Sequence, residues 1–285
     1  MVEPLLEPVP IRRAFADLSI GQVHFARAGD PQAPAILLLH QSPRSWLEYR
    51  QVLPILGRRF HAVAMDTAGF GDSAPVAGPA TIEKWAAVAA ELLDALTIRS
   101  ACVVGHHTGG VVAVELAAVH PARVSSLVLS STPYTNDAFR LARARRPPID
   151  EVAPAGDGSH LAALWQKRAA FYPPGRADLL EAFVLDALKA SGGVEQGHRA
   201  VASYRMEARI GKVRQPTLIV HAPDDPFAAP HAAELQARVT HALTVTIEGG
   251  MVPLPDQMPH QFAEAVMDFL DGLSRERAEP AAPAG

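Results

Sequence analysis

The chain has 285 residues, 48% of them hydrophobic and 20% charged, with a formal net charge of −4. That is enough to bury a full core, as one large domain or one domain with an insertion, while an acidic balance argues against nucleic acid, whose phosphates require a net basic face. The single cysteine, Cys102, excludes a disulfide framework, and no run approaches the roughly 18 uninterrupted apolar residues of a membrane span.

The segment Met1–Pro10 carries prolines and acids but neither a basic nor an apolar leader region. The expectation is a cytoplasmic protein with no membrane partner. Residues 14–28 read as a hairpin turning near Gly21. Ala35–Leu39 is a continuous apolar run, as in a strand buried on both faces. Trp46–Leu56 has helical spacing, His61–Met65 is the next strand, and Ile82–Leu96 is a long amphipathic helix. Ser100–Val104 is a β-branched run, and Gly110–Ala118 a good helix former. Between them, Gly105-His106-His107-Thr108-Gly109 reads as G-x-S-x-G with His107 in the serine position. Strand, tight turn and helix are the context that motif requires. Further strands are expected at Val124–Leu129, Thr217–Val220 and Leu243–Ile247, and a closing helix at Gln261–Leu273.

The alternation of strands and helices predicts an α/β fold with a mostly parallel sheet. It stops between residues 133 and 212, a helical stretch broken at Pro147-Pro148, Pro173-Pro174-Gly175 and Gly192-Gly193. The expected organisation is a core in two parts, 1–132 and 213–273, a helical cap at 133–212, and a disordered tail at 274–285.

The chain resembles α/β-hydrolase-fold proteins, in particular the capped branch of haloalkane dehalogenases, epoxide hydrolases and C–C-bond hydrolases. His40-Gln41-Ser42-Pro43 is similar to the family's H-G-x-P strand end, and Asp66 to Ser73 to its D-x-x-G-x-G-x-S turn. The segment Pro216 to Pro226 resembles the strand and loop of the triad acid, with Asp225 aligned to it, and Gly249 to Pro259 resembles the segment of the triad histidine. There the chain departs again, because Met251 occupies the histidine position. With serine and histidine both replaced, the usual acyl-enzyme route is closed.

The resemblance implies that His107 projects into the pocket and that the backbone N–H groups of Thr108 and Ser42 form an oxyanion hole. His107 and Asp225 are expected to form a dyad, with the carboxylate fixing the tautomer of a general base. His40, Gln41, Arg44, His106 and Met251 are expected around the substrate pocket. Of these, Arg44 is the candidate substrate contact, Met251 adds apolar volume, and His40 and His106 have plainer packing roles. Asp66 should shape its turn, and Asp224 should face solvent. Phe171, Tyr172, Trp165, Phe183, Tyr204 and Met206 are candidate pocket walls. Arg140, Arg143, Arg145 and Arg146 form either a solvated face or a rim attracting an anionic group.

No cofactor and no metal are expected, since His106 and His107 should diverge at the turn and no H-x-x-x-H spacing is present. The resulting expectation is a hydrolase acting on a small carbonyl substrate: an ester, a lactone or a C–C bond. The alternatives are a lyase, decarboxylase or isomerase on the same scaffold, a non-catalytic small-molecule binder, or a partner-protein module. A homodimer is compatible with each of these.

Overall fold

The computed structural model describes residues 9–278. In chain order the strands are β1 (Arg12–Leu18), β2 (Gly21–Ala28), β3 (Ala35–Leu39), β4 (His61–Met65), β5 (Ala101–His106), β6 (Val124–Ser130), β7 (Thr217–His221) and β8 (Leu243–Thr246). They form one sheet in the order β1-β2-β4-β3-β5-β6-β7-β8. The β1–β2 hairpin and the β2–β4 pair are antiparallel, and every later pairing is parallel. The helices are α1 (Val52–Leu56), α2 (Ile82–Ala95), α3 (Thr108–Val119), α4 (Asp137–Ala144), α5 (Ser159–Ala169), α6 (Ala177–Leu188), α7 (Gln196–Ser203), α8 (Ala232–Arg238), α9 (Leu254–Gln257) and α10 (Pro259–Ala278).

The apolar runs of the central strands are buried on both faces, as a parallel sheet covered by helices requires. Alternate residues divide between two cores. Leu37, Leu39, Val63, Val103 and Leu127 pack with α2 and α3, while Ile36, Leu38, Ala62, Val104 and Val128 pack with α1 and α10. Cys102 is buried and free of any disulfide, the small filler its strand position implies.

Two predicted elements differ. The Trp46–Leu56 helix is divided into a 3₁₀ turn at Trp46–Tyr49 and the five-residue α1. Asp66 Oδ1 accepts from the Trp46 N–H at 2.7 Å and Ser45 Oγ from the Leu47 N–H, which draws the first turn tight against the next loop. The closing helix starts earlier and runs further than predicted, through Ala278. Residues 274–278 of the expected disordered tail are therefore helical, in keeping with the helix-forming composition Arg-Glu-Arg-Ala. The rest of that tail, 279–285, and most of the N-terminal segment, 1–8, lie outside the described residues. Among the described residues no helix is long and apolar enough to cross a membrane.

Helices α4 to α7 lie between β6 and β7, as the helical stretch predicted. They have a small core of their own, Leu164, Tyr172, Leu179, Leu180 and Phe183, into which Val252 also packs. They meet the main sheet at the C-terminal ends of its strands, where Gln196 Nε2 donates to the Gly69 carbonyl at 2.9 Å.

Candidate active site

β5 ends at His106 and α3 begins at Thr108, so His107 alone makes the turn, at φ 47° and ψ −113°. Positive φ in a residue with a Cβ is strained and persists only where the surroundings enforce it. Here the His107 N–H donates to the Ser130 carbonyl at 3.0 Å, and its carbonyl accepts from the Gly110 N–H at 2.9 Å. The close crossing of helix and strand explains the glycines. A Cβ on Gly109 would lie 1.9 Å from the Leu39 carbonyl oxygen, and one on Gly105 would lie 2.3 Å from that of Gly109.

The His107 ring reaches across the strand ends to the loop after β7, where its Nε2 stands 2.6 Å from Asp225 Oδ2. The two atoms are in close contact, with the oxygen off the ring N–H axis rather than in line with it. The Asp225 side chain is fully buried, and its other oxygen accepts from the Phe227 N–H at 3.0 Å. Burial pushes the Asp225 carboxyl up, but the adjacent His107 ring, His106 and the Phe227 amide outweigh it and hold it down at about 2. An ionised Asp225 draws the ring proton to Nε2 and leaves Nδ1 as the basic nitrogen.

Beside the turn, the Ser42 N–H faces the Thr108 hydroxyl at 3.4 Å. The Thr108 N–H is a first-turn amide of α3, one of the donors a helix leaves unpaired. Gln41 is clamped by Glu48, which accepts from its backbone N–H at 2.9 Å and from Nε2 at 2.6 Å. Burial raises the Glu48 carboxyl to about 7, against the pull of the Arg44 charge and the two Gln41 bonds. Gln41, Ser42, His107 and Thr108 line a cavity of about 640 Å³ between the sheet and the helical insertion, with Phe171 and Phe227 among its walls.

Other expected site residues lie elsewhere. His40 is buried, with Nδ1–H donating to the Gln41 carbonyl at 2.7 Å and Nε2 accepting from the Thr67 N–H at 2.9 Å, so both nitrogens are used away from the cavity. His106 likewise bridges the Ser130 hydroxyl and the Val252 carbonyl, each at 2.9 Å, and burial with the neighbouring His107 lowers it to about 3. It is therefore a neutral strut. Arg44 does not reach the cavity; it is fully buried, with Nε on Asp186 at 2.8 Å and Nη2 on Asp256 at 2.7 Å. Met251 is absent from the cavity lining too, because the loop turns Val252 inward instead.

Among the candidate pocket walls only Phe171 lines the cavity; Tyr172 and Phe183 form the insertion's core, Trp165 packs against it, and Tyr204 and Met206 belong to the main core. Arg143 and Arg146 line the cavity, while Arg140 pairs with Asp137 and Glu207. Asp66 holds its turn through the Trp46 and Asp72 amides, and Asp224 is exposed, as expected.

Sequence reasoning missed His198, Arg168 and His231, which also line the cavity, and Asp150 behind them. No motif marks them, because His198 and Asp150 are 48 positions apart and meet only through the packing of the insertion. Among the described residues, His24, Asp66 and Asp72 bring ligand-type atoms together. That cluster already holds the cations of Arg13 and Lys189, and it lies away from the cavity lining.

A mostly parallel sheet with a strained turn after β5 and an acid after β7 is the arrangement that the resemblance in the sequence implies. Residues 34–250 match the family's model, described as alpha/beta hydrolase fold, and the chain belongs to that family. It is 32% identical over 161 residues to bifunctional epoxide hydrolase 2 of Rattus norvegicus, an alignment covering 52% of this chain but only 26% of that relative. Among solved structures, a hydrolase from Pseudomonas aeruginosa PA01 superposes with a TM-score of 0.72 at 25% identity, covering 91% of this chain and 98% of that one. The enol-lactonase from Burkholderia xenovorans LB400 has a TM-score of 0.76 at 21% identity, covering 90% of this chain and all (100%) of that one, a likeness of fold.

Proposed function

We propose that the protein is a cofactor-independent hydrolase of small carbonyl compounds (esters, lactones or a C–C bond) in which His107 is the general base. The observation that carries this reading is the His107 Nε2–Asp225 Oδ2 separation of 2.6 Å, with the carboxylate buried and the ring on the cavity lining. Hydrolase names among the relatives support the reaction class. Asp225 keeps the proton on Nε2, and Nδ1 takes a proton from water as the water attacks the carbonyl carbon. The Thr108 and Ser42 amides receive the developing oxyanion, which needs no covalent bond to the enzyme. The helical insertion acts as a cap that limits access of bulk water to the reacting centre.

The test compares wild type with His107→Ala on esters, lactones, β-keto acids and β-diketones, following products by mass spectrometry. A loss of at least about a hundredfold is expected for removing a general base. Turnover unaffected by the substitution would remove the chemistry from His107, and the products separate hydrolysis from decarboxylation or carbon–carbon cleavage.

A further inference from the structure

The cavity holds a second histidine supported by a buried carboxylate, on the insertion rather than the sheet. His198 sits in the first turn of α7 and lines the same cavity as His107. Its Nε2 lies 2.8 Å from Asp150 Oδ2. Asp150 is completely buried and is held on both oxygens by Arg168, through Nε at 2.6 Å and through Nη2, while its backbone N–H donates to Glu195 Oε1 at 2.6 Å. Burial pushes the Asp150 carboxyl up, but the Arg168 charge and the bonds from His198 and Arg168 hold it below the usual carboxylate range. An ionised Asp150 therefore accepts a hydrogen bond from the Nε2–H of His198, leaving Nδ1 as the exchangeable position. Arg168 Nη2 also stands 3.3 Å from that Nε2, a longer contact than the carboxylate's.

As a structural tie, Arg168 and Asp150 already form a two-point ion pair, the geometry that makes such pairs strong. His198 adds a titratable ring, 15% exposed, on the cavity side of that pair. Arg143, Arg146 and Lys167 line the same cavity.

We propose that His198, oriented by Asp150, is the proton donor to the leaving group in the same cavity as the base His107; this rests on the hydrolytic reading above. In the first step the water oxygen bonds to the carbonyl carbon, and its proton passes to His107 Nδ1. In the second, the carbonyl carbon–leaving oxygen bond breaks, its electron pair stays on the oxygen, and His198, which enters the step with a proton on each ring nitrogen, delivers the Nδ1 proton there and keeps the one on Nε2. The products are an acid and an alcohol. Solvent then returns a proton to His198 and removes one from His107.

The test is the leaving-group dependence of His198→Gln on ethyl and 4-nitrophenyl esters of butyrate and phenylacetate. Nitrophenolate departs without protonation and ethoxide does not, so the ratio of kcat/KM for nitrophenyl over ethyl ester should rise by about a hundredfold, the scale of general-acid catalysis. A merely structural role would lower both esters together, and the surviving nitrophenyl activity certifies the fold. An unchanged ratio, with both activities abolished by His107→Ala, overturns the role of His198 and leaves the hydrolytic reading standing. A wild type inert toward all four esters and the lactones overturns the role of His198 together with the ester and lactone part of the hydrolytic reading.

Discussion

His107 is held at φ 47° although it carries a Cβ and a ring, and the surrounding glycines let the turn close around it. The ring ends 2.6 Å from a carboxylate whose acidity is set by burial against two neighbouring imidazoles and an amide. Asp225→Asn keeps the shape and removes the charge, which should lower kcat by about 10²- to 10⁴-fold through the wrong tautomer. Stability reports the same pair. With the folded carboxyl at about 2 against an ordinary 3.8, the unfolded chain binds the proton more readily in that window. The ionised group therefore contributes ~2 kcal/mol above pH 4, which is lost as pH falls through 2. Urea unfolding should give a gap of that order between wild type and Asp225→Asn at neutral pH, narrowing below pH 4; a gap that is constant with pH would remove the ionised Asp225 carboxylate as its cause. His107 and Asp225 were legible as candidates because each occupies a position inside a motif. The packing roles of His106 and His40 depend on partners contributed by distant loops.

At the scale of elements, α7 connects the insertion to the Ser42 loop. A Cβ on Gly197 would lie 1.9 Å from Ser42 Oγ and 2.2 Å from its Cβ, so the helix seats directly on the loop carrying the proposed oxyanion donor. Gly197→Ala should cost about 1–3 kcal/mol by overpacking and should also lower kcat/KM, because it displaces His198 and Ser42 together. Gly211→Ala, with nothing within 4 Å of the added carbon, is the control and should change neither. Urea unfolding and kinetics on both variants check this, and a Gly197→Ala enzyme as active as the control would separate the helix seat from the chemistry. The strands were legible because a run such as Ala35–Leu39 has no polar face to expose and can only be central. The split of Trp46–Leu56 was hidden, since Asp66 reaches in from the loop after β4 to take the Trp46 amide.

Across the whole molecule, Arg44 joins three parts: its own loop after β3, Asp186 on α6 of the insertion and Asp256 on α9. Ser45 adds a 2.6 Å hydrogen bond to the same Asp186. Arg44→Met would leave two buried carboxylates without their cation, and breaking a buried pair in this way costs roughly 3–5 kcal/mol. Arg59→Ala, which removes an exposed pair with Asp271, should cost at most about 1 kcal/mol. Urea unfolding of the two variants tests the contrast; equal losses would mean that the buried network does not hold the insertion to the sheet.

The sequence by itself determined the sheet, the helical insertion between β6 and β7, and the strained histidine turn, because each is written in local periodicity or in glycines needed for close approach. Only the tertiary structure decided which side chains share the cavity. Arg44 is committed to ion pairs with Asp186 and Asp256, Val252 rather than Met251 turns inward, and His198 meets Asp150 from 48 positions away. Such contacts depend on how separately formed elements pack, and that arrangement leaves no spacing in the chain to read.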